Sequence, residues 1–184
     1  MRNLKVLLVF LIGLAAVIWI LRWKGSSSFV FAWTLNFILM MVMLFYTETL
    51  KPKLNCAYFD TRAWEQAGNA YRYVGVHMFR KILIWTGWER LNKQANPVGK
   101  KKELLKQLEY RTRVSEFGHV VIFVVVSLVA VVVAWLHGLQ GSVWLIATNI
   151  LLNLYPVIVQ RYNRPRYQKI LSKISRNPEA SVSV

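Results

Sequence analysis

Four stretches without a charged side chain punctuate the sequence: residues 6–21, 29–47, 120–136 and 143–159, of 16, 19, 17 and 17 residues. A helix needs ~17–25 apolar residues to cross ~30 Å of hydrocarbon. The second stretch meets this with room to spare, and the shorter ones, at or just under the lower limit, draw on their amphipathic ends. The first gains length if Lys5 snorkels to the interface. Trp19, Trp23, Trp33, Tyr46, Trp135 and Trp144 fall near segment ends, as an interfacial aromatic belt requires. The pattern predicts an all-α polytopic membrane protein: about four transmembrane helices, plus cytoplasmic and interfacial amphipathic helices. The first segment begins where a signal peptide would. However, Leu21-Arg22-Trp23-Lys24 offers no small-x-small cleavage site, so retention is expected.

Between the second and third stretches the pattern changes twice. From Tyr58 to Leu91 aromatics alternate with Arg and Lys, which predicts helix lying along the headgroups. Its apolar side, Trp64, Tyr71, Met78, Ile82, Trp85 and Trp88, is expected to turn toward lipid or the bundle. Asn96-Pro97-Val98-Gly99 reads as a loop. After it, Lys100-Lys101-Lys102 opens a helix with Leu104, Leu105 and Leu108 on one side. With no proline before His137, that helix should run straight into the third span. The expected organisation is a transmembrane hairpin over residues 1–48, then a functional region over 49–176 and a flexible tail over 177–184. Within 49–176, interfacial helices occupy 58–116, and transmembrane helices occupy about 117–137 and 142–162.

Composition sharpens this. Of 184 residues, 55% are hydrophobic, yet Lys+Arg number 24 against 8 Asp+Glu, a net charge of +16. A soluble core of this size cannot bury so much apolar surface, and a disordered chain would not carry 8 Trp, 8 Tyr and 9 Phe. A nucleic-acid binder would account for the charge but not for the charge-free runs, so no nucleic-acid partner is expected. One cysteine, Cys56, excludes an intramolecular disulfide framework and a multi-cysteine metal site. The basic residues are concentrated over 48–119 and from Arg161 onward, and none lies in the turn at 137–142. By the positive-inside rule the middle region and both termini face the cytoplasm of a multi-pass cell-membrane protein. Arg22 and Lys24 conflict mildly with that orientation.

Candidate chemistry gathers late in the chain. Asn149, Asn153, Pro156, Gln160 and Asn163 are spaced by four, three, four and three residues, which places them on one helical face. Unpartnered amides in hydrocarbon cost about 1–3 kcal/mol each, so the face should meet protein or a wet cavity. The plainer reading is interhelical glue. Pro156 frees the Leu152 carbonyl, adding an acceptor to that face. On the third span Glu116 and His119 lie one turn apart, close enough for the carboxylate to hold the imidazole. Ser127, Ala130 and Ala134 continue that face with small residues suited to close helix contact. A short turn makes the two spans antiparallel and should bring His119 level with Gln160, with Asn153 about 10 Å deeper. Arg161, Arg164 and Arg166, with aromatics between them, either clamp phosphates by bidentate hydrogen bonds or form a patch drawn to anionic lipid.

These residues carry a resemblance. The run from Asn153 through Gln160-Arg161-Tyr162-Asn163-Arg164-Pro165-Arg166 resembles the C-terminal signature of the glycosyl-4,4'-diaponeurosporenoate acyltransferases, membrane enzymes of staphyloxanthin-type carotenoid synthesis. Thr112-Arg113 leading to Glu116-x-x-His119 belongs to the likeness, as do, more weakly, Trp64-Glu65-x-x-Gly68 and Phe79-Arg80-Lys81. The similarity covers roughly residues 58–172, and the two apolar segments ahead of residue 55 depart from it. It implies transfer of a fatty acyl group from acyl-CoA, as co-substrate, to a sugar hydroxyl of a lipophilic glycosylated acceptor, with no bound cofactor or metal. His119 would be the base, with Glu116 orienting it and Asn153 or Gln160 donating to the oxyanion. Arg161, Arg164 and Arg166, with Asn163 and Asn149, would bind substrate. Membrane lipids are the expected surroundings. The alternative is a non-catalytic scaffold subunit with a lipid-binding basic tail. Cys56 has no His or acid at a persuasive spacing, and His77 and His137 are given no role.

Overall fold

A computed structural model describes residues 1–87 and 102–176. The Asn96-Pro97-Val98-Gly99 loop, Trp88 and the 177–184 tail lie outside the described residues. All regular structure among the described residues is helical. The order is α1 (Arg2–Lys24), α2 (Phe29–Leu50), 3₁₀ segments at Ala57–Phe59 and Ala63–Val74, α3 (Val76–Trp85), α4 (Lys102–Asn149), a π turn (Ile150–Leu154) and α5 (Tyr155–Arg176). Among the described residues, three runs are long and apolar enough to cross a membrane: α1, α2 and Lys102–Arg176. The last is interrupted at Gly138, where φ is 74° and ψ 171°, a region open essentially to glycine alone. That one break divides the third charge-free stretch from the fourth. The six-residue turn expected at 137–142 is thus compressed to one residue.

The chain divides into two compact units, Met1–Lys53 with Phe117–Val157 and Leu54–Glu116 with Ile158–Val184. In the first, α1 and α2 form a hairpin. Ser28 caps α2, its Oγ accepting from the Phe31 N–H at 3.1 Å, which satisfies one of the orphan donors of the first turn. Gly13 lets the two helices approach, since a Cβ there would meet Val42 at 2.8 Å. The core joins Ile20, Phe31 and Leu35 to Ile122, Val126, Val133 and Leu145. Outward, Leu7, Leu8, Phe10 and Leu11 of α1 stay exposed. A helix apolar on all sides with so little covered is compatible with a membrane protein.

The second unit packs Tyr71, Val76 and Tyr162 together with Ile158. Leu105 and Leu108 are buried, as their spacing predicts, and α4 runs unbroken from Lys102 to the Gly138 break. The stretch from Tyr58 is less regular than the expected interfacial helix. Gln66, Ala67 and Gly68 all take left-handed backbone, with φ of 47°, 53° and 89°. Gly68 is held against α5, where a Cβ would lie 2.9 Å from the Tyr162 carbonyl oxygen. Trp64, Met78, Ile82 and Trp85 are exposed, but Tyr71 is buried and faces a carboxylate rather than lipid.

Candidate active site

In the first unit Asn36, His119, Ser127, Thr148, Asn149 and Asn153 form one connected cluster. Pro156 has no N–H to give the Leu152 carbonyl, and the preceding turn widens so that the Tyr155 N–H reaches back five residues to Ile150. Asn153 sits in this wide turn, fully buried. Its Nδ2 donates to Asn36 Oδ1 at 2.6 Å and to Asn149 Oδ1 at 2.8 Å. Asn149 Nδ2 donates to Ser127 Oγ and to the Phe123 carbonyl, each at 3.0 Å. Asn36 Nδ2 in turn donates to the Ala32 carbonyl at 2.8 Å and to Thr148 Oγ1 at 3.2 Å.

His119 completes the cluster, with Nδ1 3.3 Å from Asn153 Oδ1. The carboxamide oxygen can only accept, so the imidazole donates from Nδ1. The expected depth relation is therefore corrected. His119 stands level with Asn153, seven positions earlier than Gln160, because the reversal at Gly138 replaces the longer turn. Beside the cluster is a groove of about 320 Å³, lined by Phe123, Ser127, Ala130, Ala134, Ile146 and Asn149 among others. The small residues Ser127, Ala130 and Ala134 line this groove, and they also serve close helix contact: Ser127 accepts from Asn149, and Ala130 is buried in the core.

In the second unit two arginines and two glutamates neutralise one another. Arg161 donates from Nε to Glu116 Oε1 at 2.7 Å, from Nη1 to Glu65 Oε1 at 2.8 Å and from Nη2 to the Tyr58 carbonyl at 2.7 Å. Arg164 donates from Nε to Thr112 Oγ1 at 3.0 Å, from Nη1 to the Phe59 carbonyl at 2.8 Å and from Nη2 to Glu116 Oε2. Glu65 also accepts the Arg62 N–H at 2.9 Å and the Tyr71 hydroxyl at 2.6 Å. Burial pushes the Glu65 carboxyl up, but hydrogen bonds from Tyr71, the Arg62 N–H and Arg161 outweigh it and hold the group below its ordinary range. Desolvation and the facing Glu65 carboxylate push the Tyr71 hydroxyl the other way.

The expected Glu116–His119 pair is not what the carboxylate makes. Both Glu116 oxygens are taken by guanidiniums, whose permanent charge outcompetes a neutral imidazole one turn along the helix. Gln160 donates to Ser115 Oγ at 3.1 Å. Arg166 behaves unlike its neighbours: its Nη1 donates to the Tyr162 carbonyl, and its guanidinium lies 3.5 Å above the Tyr162 ring centre. Among the described residues no hydrogen bond involves the Asn163 side chain, and no group of three His, Cys, Asp or Glu could hold a metal. Sequence reasoning missed Asn36, Thr148, Ser115 and the inward role of Tyr71. Of these only Asn36 carries a signal, as a lone amide inside an apolar span.

Fold and clusters together define an all-helical protein of membrane type, with polar networks set among apolar helices. A family model described as glycosyl-4,4'-diaponeurosporenoate acyltransferase matches residues 55–173, and the chain belongs to that family. Its match takes in Glu65, Glu116, His119, Asn153 and the three arginines, and leaves out α1, α2 and Asn36. No curated protein and no solved structure matches the chain.

Proposed function

We propose that the protein moves a fatty acyl group from acyl-CoA to a sugar hydroxyl of a glycosylated carotenoid or related glycolipid within the membrane. The family match carries this reading. In the first unit, the contact between His119 and Asn153 supports His119 as general base. With Nδ1–H committed to the carboxamide, a neutral ring keeps Nε2 as its basic nitrogen. That nitrogen takes the hydroxyl proton as the sugar oxygen attacks the thioester carbonyl. The C–O bond forms, the C–S bond breaks, and the departing thiolate takes up the proton. Asn153 holds the ring, the role expected of Glu116; both its N–H protons go to Asn36 and Asn149, so it acts as a positioning residue rather than an oxyanion donor. The apolar groove ending at Asn149 suits the acyl chain. Glu116, Arg161 and Arg164 then serve the second unit's architecture. The distribution of Lys and Arg supports cytoplasmic termini.

One observation favours the scaffold reading: among the described residues every buried side-chain nitrogen and oxygen already has a partner, as interhelical glue would require. The deciding experiment incubates the purified full chain in nanodiscs with labelled acyl-CoA and a glycosylated apocarotenoid. An ester product of the expected mass is the predicted result. No transfer to any glycolipid, together with a stoichiometric membrane partner on purification, would overturn the proposal.

A further inference from the structure

Three carboxamides stand in line within the first unit, and two backbone carbonyls set which way each one points. At one end the Ala32 carbonyl accepts from Asn36 Nδ2 at 2.8 Å, and Thr148 Oγ1 accepts from the same nitrogen at 3.2 Å. At the other end the Phe123 carbonyl accepts from Asn149 Nδ2 at 3.0 Å. A carbonyl can only accept, so both asparagines turn their oxygens inward. Asn153 lies between them and donates to the two oxygens from its one nitrogen, at 2.6 and 2.8 Å. Its own oxygen is thereby left to face His119 Nδ1 at 3.3 Å. Asn36 and Asn153 are both 0% exposed. Reversing the Asn153 carboxamide would set oxygen against oxygen twice, in a medium of low dielectric where such a clash is costly.

We propose that Asn36 of α2 is a positioning residue for His119, fixing through Asn153 which ring nitrogen carries the proton. The relay runs from the Ala32 carbonyl to Asn36, then to Asn153, then to the ring. With the Asn153 oxygen held toward Nδ1, the neutral ring keeps its proton there and leaves Nε2 able to accept one. A reversed carboxamide would donate to Nδ1, and the ring proton would move to Nε2, where it would block uptake of the hydroxyl proton. That catalytic consequence rests on the general-base reading above; the proton's place on the ring does not. The family model matches residues 55–173, so α2 adds to the site a member that the matched region lacks.

The test uses the full chain in nanodiscs with isotope-labelled histidine, and reads the ring nitrogens by NMR. His119→Ala identifies the signals of that ring. Asn36→Thr is the informative variant. Its hydroxyl can bond back to the Ala32 carbonyl, as Thr47 does to the Met43 carbonyl at 3.0 Å, and so stays paired while stopping short of Asn153. The parent should show the Nδ1–H form alone, and Asn36→Thr a mixture with Nε2–H. Its kcat should fall up to about tenfold, the weight of one buried hydrogen bond, with KM unchanged. Asn36→Asp, kept neutral by burial, donates to Ala32 and accepts from Asn153; it should restore the Nδ1–H form and most of the turnover. Thr47→Val removes a buried hydroxyl from the same helix, and should lower the melting temperature without moving the ring proton. A parent protonated on Nε2, or a folded Asn36→Thr with its ring unchanged, would overturn the relay. If the threonine variant does not fold, Asn36→Leu is read in its place, and the parent and Asn36→Asp must carry Nδ1–H in any case. Because the ring is read without turnover, a parent that holds Nδ1–H yet transfers no acyl group sinks the general-base reading and leaves the relay standing.

Discussion

Arg164 and Glu116 form an ion pair across 48 residues of sequence, with side chains only 2% and 0% exposed. Breaking such a pair from one side leaves a buried charge and costs about 3–5 kcal/mol. Arg164→Met should therefore lower the melting temperature of the solubilised protein sharply. Arg164→Lys should recover little, because an ammonium cannot serve Thr112, the Phe59 carbonyl and Glu116 at once. A lysine variant as stable as the parent would show the guanidinium geometry to be dispensable.

Two glycines with left-handed backbone should respond differently to alanine. At Gly68 the added Cβ meets both an unfavourable φ of 89° and the Tyr162 carbonyl oxygen at 2.9 Å. At Gly138 the backbone is strained, but nothing lies within 4 Å. Backbone strain alone costs about 1–3 kcal/mol, so Gly138→Ala should fall in that range and Gly68→Ala beyond it. Thermal or denaturant unfolding of both variants measures the difference.

His119→Ala should reduce turnover ~10²–10⁴-fold, the usual contribution of a general base, with a smaller loss of melting temperature from the buried Asn153 oxygen left without its partner. Asn153 acts through that ring, so Asn153→Ala should slow the enzyme, yet the double variant should be no slower than His119→Ala alone. Additive losses would assign Asn153 a separate role.

Acid should weaken the second unit. Glu65 is held below its ordinary value of 4.5, so its contribution is fully present above that value and is lost as pH falls through the lower folded one. Glu65→Gln removes this titration. Melting curves taken from about pH 7 to about pH 3 should show parent and variant converging as acidity rises.

The charge-free runs, the helix entering the third span and the shared helical face of Asn149 and Asn153 were all legible, because each depends on local composition or helical spacing. Partners were not. Glu116 lies one turn from His119 in sequence, and local spacing favoured that pairing. The arginines that take it come from 45 and 48 residues away. The depth of His119 was misjudged for a related reason: a hairpin's register depends on its turn, and one glycine in a rare conformation shortened that turn.

The wide turn at Ile150–Leu154 makes this span a matter of counting. Its two carboxamides meet because four residues separate them while the backbone there runs slack. Removing Leu151 would let the turn tighten into ordinary α-helix, the Tyr155 N–H reaching Ile150 over four residues instead of five. The helix beyond would keep its facing, but Asn153 would stand three places from Asn149 and lose its setting against it. Residue number in this short interval, more than residue identity, is therefore what insertions and deletions must respect.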